Sequence, residues 1–368
     1  VTSPHNEGSK VDIDAQSVTN PGGTRTGGYD PTLAGFAPWD EPTDAAYLTA
    51  SSETGAVPHA YTDSSSSASS MTAGIKTYNN GVNVDPSGRQ VETIAHQLQR
   101  DGWSIGAVTS VPISHATPAA VYAHNVHRDD YQDLTRDLLG LTSIAHPETP
   151  LAGIDVLIGT GWGVTMKSDA DHGQGANFVP GNRYLTDDDR QAIDHRHGGR
   201  YVVAERTAGS PGDELLAAAA RQAADEGTRL FGYFGVASTG HLPYRTADGD
   251  FRPAAGRERK SESYTPAEID ENPSLAEMTS AALDVLSSRN GKFWLLVEPG
   301  DVDWANHDNN LDNSIGAVLS GDAAVRVITQ WVDRNSNWDE SLLIVTADHG
   351  HMLFLDDPQA LADAVAQP

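Results

Sequence analysis

Five short runs in this chain are apolar along their whole length: SIGAVTSVPI, GIDVLIGTG, TRLFGYFGV, KFWLLVE and SLLIVTAD. A strand with one wet face alternates polar and apolar residues, so a continuous run needs cover on both faces. Helical segments separate these runs. RQVETIAHQLQRDG is closed by Gly102, and TPAAVYAHNVHRDDYQDLTRDLL reads as helical pieces. DELLAAAARQAADEG, SLAEMTSAALDVLSSR and SGDAAVRVITQWVDR complete the alternation. The pattern predicts an α/β fold, a three-layer α/β/α sandwich around a mostly parallel central sheet. In such sheets ligands bind beyond the carboxyl ends of the strands. Polar clusters stand at those ends here, directly after TSVPI, LLVE and IVTAD. Pro21 to Thr54, rich in Gly, Pro, Asp and Thr, reads as irregular surface structure.

Charge narrows the function. The chain carries 24 Lys and Arg against 51 Asp and Glu, a net −27, and only five of the basic residues are Lys. A nucleic-acid-binding surface has the opposite sign, so no nucleic-acid partner is expected. Dense carboxylate with little Lys keeps a protein hydrated where salt screens repulsion, which points to a halophilic or marine source. No run approaches the ~20 apolar residues of a membrane span. Without cysteine, any metal must be held by histidine and carboxylate.

Three clusters supply such ligands. In VEPGDVDWANHD, Glu298 ends a strand, and Asp303 and His307 at i, i+4 share a helix face. In IVTADHGH, Asp348, His349 and His351 follow a buried strand. Together they suffice for two hard or borderline cations. In SHATPAAVYAHNVHR, Thr117 followed by Pro118 is a helix start, and Arg128 lies three turns down the same helix. A guanidinium beside a metal cluster suits bidentate grip on a phosphate. The serine-rich TDSSSSASSMTAGIKTYNN is either a flexible tether or a helix start. If Ser64 caps a helix beginning at Ser65, its hydroxyl lies at the positive end of the dipole and the small residues allow close packing. A serine hydroxyl in contact with a metal ion can lose its proton and attack phosphorus.

Taken together, these segments resemble the alkaline phosphatase family. TDSSSSASSMTAGIKTYNNGVNVD is similar to the family's nucleophile segment, which implies Ser64 as nucleophile and Asp63 as the carboxylate that positions the phosphate-binding arginine. The resemblance of HATPAAVYAHNVHR makes Thr117 a magnesium ligand and Arg128 the phosphate clamp. That of VEPGDVDWANHD gives Glu298 to magnesium and Asp303 and His307 to a first zinc; that of TADHGH gives Asp348 and His349 to a second, with His351 in support. The four segments occur in family order from Tyr61 to Leu353, within a single domain over 1–368. His115 and Trp304 occupy positions that vary in the family, in a combination similar to marine and cold-adapted bacterial members. His115 either reaches the third metal or stands behind its ligands.

The resemblance implies hydrolysis of phosphate monoesters at alkaline pH through a phosphoseryl intermediate, with two Zn2+ and one Mg2+ per site. Inorganic phosphate is then a product, and a homodimer and a periplasmic or secreted location are expected. A phosphodiesterase of the same superfamily, or a non-catalytic metal- or phosphate-binding relative, are the alternatives. Sulfatase is disfavoured, because no Pro or Arg follows Ser64 at the spacing that class requires. Two ligands of the family pattern, an Asp at the end of its first strand and a distal His, have no counterpart, so the chain reads as lacking the first strand and the last strands. The polar segment 166–200 reads as an exposed insertion.

Overall fold

The computed structural model describes residues 62–351 apart from 86, 171–172, 257–260 and 290; the expectation for Pro21 to Thr54 lies outside them. Its centre is a five-stranded parallel sheet in the order β5-β6-β2-β1-β7. The strands are β1 (Ser104–Pro112), β2 (Val156–Thr160), β5 (Tyr201–Glu205), β6 (Arg229–Phe234) and β7 (Phe293–Glu298). A small antiparallel pair, β3 (Thr165–Met166) and β4 (Gly181–Asn182), stands apart. Every residue of β1 and β2 is buried, as continuous apolar runs require.

Helices cover both faces. On one side lie α1 (Ser64–Ala73), α2 (Ile94–Arg100), α3 (Ala116–Ala119) and α4 (Tyr131–Leu139), around a core including Ile105, Tyr122, Leu134 and Leu157. Helix α5 (Asp187–Ile193) follows β4. On the other side, Val156, Ile158 and Phe234 pack with α6 (Gly212–Glu226) and, after the short α7 (Pro266–Asp270), α8 (Leu275–Arg289). Helix α9 (Asp301–His307) follows β7, and α10 (Leu311–Asn335) closes this layer through Ala324. The close packing is visible at Gly232, where an added Cβ would meet Ile158 Cγ2 at 2.7 Å.

Four local expectations are corrected. SLLIVTAD is not a strand: residues 341–347 lie beyond any sheet pairing, with Leu342 85%, Ile344 71% and Val345 75% exposed. An apolar run records suitability for a strand, but a strand also needs a paired neighbour, and residues 341–347 pair with none of the described strands. Thr117 is not an N-cap, because α3 begins one residue earlier and His115 occupies the cap position. That helix is one turn long, so Arg128 stands in the loop after it, not three turns down. Segment 166–200 is only partly exposed: Tyr184, Leu185 and Ile193 are buried.

Candidate active site

The serine-rich segment is a buried helix. Asp63, not Ser64, is its N-cap, with Oδ1 accepting from the Ser66 amide at 3.0 Å, and Gly74 closes it at φ +69°. Serine is a middling helix former because its hydroxyl competes for backbone groups. Here that competition is satisfied within the helix: Ser70 donates to the Ser66 carbonyl at 2.9 Å and Thr72 to the Ala68 carbonyl at 2.9 Å. Ser65, Ala68 and Ser69 are buried with almost no exposure, so small side chains let neighbouring backbone approach. Asn83, in left-handed conformation at φ +47°, fastens the following loop, donating to the Ala120 and Ala123 carbonyls at 2.9 and 2.8 Å.

Asp63 also aims Arg128. Its Oδ2 accepts from Arg128 NH1 at 3.0 Å, from Ser65 Oγ at 2.6 Å and from the Asn80 amide at 3.1 Å. Burial alone would raise its pKa, but the Arg128 charge and the Ser65 and Ser66 hydrogen bonds hold it below the ordinary carboxylate value. The other guanidinium nitrogen, NH2, lies 3.4 Å from His115 Nε2. Burial, then the charges of Arg128 and Arg183, push His115 down to about 3, so its imidazole is neutral.

Across from the serine helix, Asp303 Oδ1 is the centre of three imidazoles. His351 Nε2 is 2.9 Å away, His307 Nε2 3.3 Å and His349 Nε2 3.5 Å. Helix α9 accounts for the Asp303–His307 pair, one turn apart on one face. Ser64 Oγ lies 3.2 Å from His349 Nε2, joining the first helix to this cluster. His351, expected only in support, is thus as close to Asp303 as the other two. Asp348 borders the group of four: its Oδ2 is 3.6 Å from His349 Nε2, its Oδ1 accepts from the His349 amide at 2.9 Å, and its charge reaches Glu298.

Glu298 is held by strand register. Thr109 pairs with Glu298 between β1 and β7, so the Thr109 hydroxyl donates to its carboxylate at 2.5 Å, and Thr117 hydrogen-bonds the same group. Burial raises Glu298 to about 7 against these bonds, with Asp348 and Asp303 adding to the rise. Sequence reasoning missed Thr109, whose only signal is its place in a buried strand five positions before the polar cluster that begins at Ser114.

It also missed His241. This fully enclosed imidazole has Nε2 2.9 Å from Glu262 Oε1 and Nδ1 3.1 Å from Asp301 Oδ1. Burial opposes its charge, but Asp301 and Glu262 prevail and raise it to about 9. Its ring meets Trp304 edge-on at 5.5 Å, and Trp304 meets His115 edge-on at 5.6 Å. Trp304 and His115 border a pocket of about 240 Å³ that is also lined by Tyr131, Tyr184 and Arg183.

The arrangement places a buried hydroxyl, an aimed guanidinium and an imidazole–carboxylate cluster around one space. Comparison with known proteins gives the chain's relatives. The alkaline phosphatase family profile matches residues 38–362. Alkaline phosphatase 4 of Bacillus subtilis is 27% identical over 291 residues, 78% of this chain and 49% of that protein. Streptomycin-6-phosphate phosphatase of Streptomyces griseus is 30% identical over 311 residues, 79% of this chain and 61% of that protein. Among solved structures, the cold-active alkaline phosphatase from the psychrophile Shewanella sp. aligns with a TM-score of 0.49 and 23% identity, over 74% of this chain and 51% of that one. The chain spans about half the length of the first of these curated relatives. With the family profile covering most of its length, the chain belongs to the alkaline phosphatase family.

Proposed function

We propose that the protein hydrolyses phosphate monoesters at alkaline pH, with Ser64 as nucleophile and inorganic phosphate as product. The reading rests above all on the 3.2 Å between Ser64 Oγ and His349 Nε2, at the edge of the Asp303 cluster. Three imidazole nitrogens and a carboxylate form a donor set that suits zinc. Asp303 and His307 would hold one zinc with His351 beside them, Asp348 and His349 a second, and Thr117 and Glu298 a magnesium. When bound, two Zn2+ and one Mg2+ supply positive charge that lowers the pKa of a hydroxyl and stabilises a departing alkoxide.

The chain's own residues supply the remainder. Arg128, fixed on one side by Asp63, grips two phosphate oxygens and turns the phosphorus toward Ser64. Ser64 Oγ gives up its proton to water and attacks in line; the Oγ–P bond forms as the ester P–O bond breaks, and the departing alkoxide takes a proton from water to leave as the alcohol. Water then attacks the phosphoserine and releases inorganic phosphate. Glu298, raised to about 7 by burial, is a carboxylate at the alkaline pH of the reaction, the form in which it would hold magnesium. His115 and Trp304 border the space where the leaving group departs.

The test is turnover of a nitrophenyl monoester at high pH by full-length protein, with metal content measured in parallel. Ser64→Ala is expected to lose at least a thousandfold in kcat, and chelator to abolish turnover. Retention of a tenth of the activity in Ser64→Ala would overturn the nucleophile assignment. The same reading carries a periplasmic or secreted address and a homodimer, read out by cell fractionation and by sedimentation mass.

A further inference from the structure

A second histidine–carboxylate group lies between the serine helix and the Asp303 cluster in sequence, and shares no residue with that cluster. His124 precedes Arg128 by one turn's worth of chain, Asp137 sits near the end of α4, and His146 lies in the loop beyond it; all three are buried. His124 Nδ1 is 3.1 Å from His146 Nε2, and His146 Nε2 is 3.7 Å from Asp137 Oδ2. Two ligand atoms on a tetrahedral zinc with bonds near 2.0–2.1 Å stand ~3.3 Å apart. The two separations bracket that edge.

The surrounding hydrogen bonds orient the inward atoms toward one another. His124 Nε2–H donates to the Val91 carbonyl at 3.0 Å, so the lone pair is on Nδ1, the nitrogen that faces His146. A metal-binding histidine is oriented in this way, through its other ring nitrogen. Asp137 is likewise held from behind: Oδ1 accepts from Ser143 Oγ at 2.5 Å and Oδ2 from the His124 amide at 2.9 Å. Yet this carboxylate is fully buried, and among the described residues no Lys or Arg pairs with it; its one ion-pair partner is His146. A buried carboxylate without a cation is costly.

We propose that His124, Asp137 and His146 form a separate structural site for one divalent cation of borderline softness, zinc foremost. Two imidazoles and one carboxylate exclude magnesium and calcium as preferred occupants, since those take oxygen. The ion ties the loop that carries Arg128 to α4 and to the Val91 segment, so it acts on the position of the guanidinium and not on the reaction. The inference does not depend on the hydrolase reading.

The experiment counts zinc on the full chain after chelator stripping and reloading. It uses wild type, a His307→Gln/His349→Gln variant, and that variant with His146→Gln added. The double variant is expected to retain one tightly held zinc that the triple variant loses, with at least a tenfold weaker Kd. Zinc is expected to raise the Tm of the double variant by several degrees, and not that of an otherwise identical protein carrying Asp137→Asn. Anomalous scattering at the zinc edge from wild-type crystals provides a readout that needs no substitution. A peak enclosed by His124, Asp137 and His146 supports the site. Equal zinc uptake by the double and triple variants, or a zinc-loaded crystal without that peak, would overturn it in favour of a neutral hydrogen-bonded network.

Discussion

Asp63 carries three tasks on one carboxylate. It caps the serine helix, takes the Asn80 amide, and pairs with Arg128 at 3.0 Å. Asp63→Asn keeps the shape and part of the capping but removes the charge that aligns the guanidinium. Both side chains retain some exposure, 19% for Asp63 and 16% for Arg128, so the loss falls below that of a fully buried pair, at about 1–3 kcal/mol. The expected result is a Tm lower by several degrees and, on the proposed function, a roughly tenfold rise in KM for a monoester, as a misaimed phosphate grip would give. The sign of the pH effect follows from the depressed pKa. Because Asp63 titrates lower folded than its ordinary 3.8, its contribution is present above that value and lost as pH falls through the folded one. Asp63→Asn is therefore expected to flatten the acid limb of stability below about pH 4, measured as Tm against pH. A parallel acid limb in the two proteins would remove Asp63 from this role.

At the scale of elements, the site is made by strand ends brought level. The Thr109–Glu298 register sets β1 beside β7, so the turn carrying His115 and Thr117 and the helix carrying Asp303 and His307 emerge together. This much is legible in sequence, since continuous apolar runs announce a doubly covered parallel sheet and the polar clusters follow those runs directly. The alternation does not tell which run finds a neighbour, and SLLIVTAD finds none in the described residues. Nor does it tell how far a helix runs after Pro118; the short α3 moved Arg128 into a loop while still bringing it to Asp63. His241 was invisible for a different reason. Its partners Glu262 and Asp301 lie 21 and 60 residues away, so only the fold makes it a buried cation. That clamp fastens the loop after β6 to the start of α9. A histidine raised from 6.5 to about 9 contributes stability that is complete below its unfolded value and lost as pH climbs through the folded one. Asp301, raised to about 6 by burial against the pull of His241, is already ionised over that window and does not offset the slope. Wild type is expected to lose up to about 3 kcal/mol between pH 6.5 and 9 from this group. Glu262→Gln should shallow that decline, as read by chemical denaturation at each pH. An unchanged slope would assign the alkaline decline elsewhere.

The whole molecule carries a net −27, and apart from a few buried carboxylates such as Asp137 and Asp301 most Asp and Glu among the described residues are at least partly exposed. Self-repulsion at that density opposes compaction, and added salt must relieve it. Two physical accounts of the acidity then part company at high concentration. If the charge is only an incidental burden, screening is nearly complete once the Debye length shrinks to ~3 Å at 1 M, and stability should level off there. If the surface is adapted to salt, with carboxylates kept hydrated and Lys replaced because its long apolar stem would draw neighbours together, stability should go on rising well beyond that point. The low Lys count, five among 24 basic residues, favours the second account, and we propose a salt-adapted protein. Tm measured in KCl from 0.1 to 3 M at fixed metal activity is expected to climb throughout, with more than a third of the rise above 1 M. Sodium perchlorate over the same range serves as the contrast, because it screens equally but does not favour burial. A plateau near 1 M in KCl would leave an acidic surface without salt adaptation. A rise in KCl matched by perchlorate would reduce the effect to screening alone.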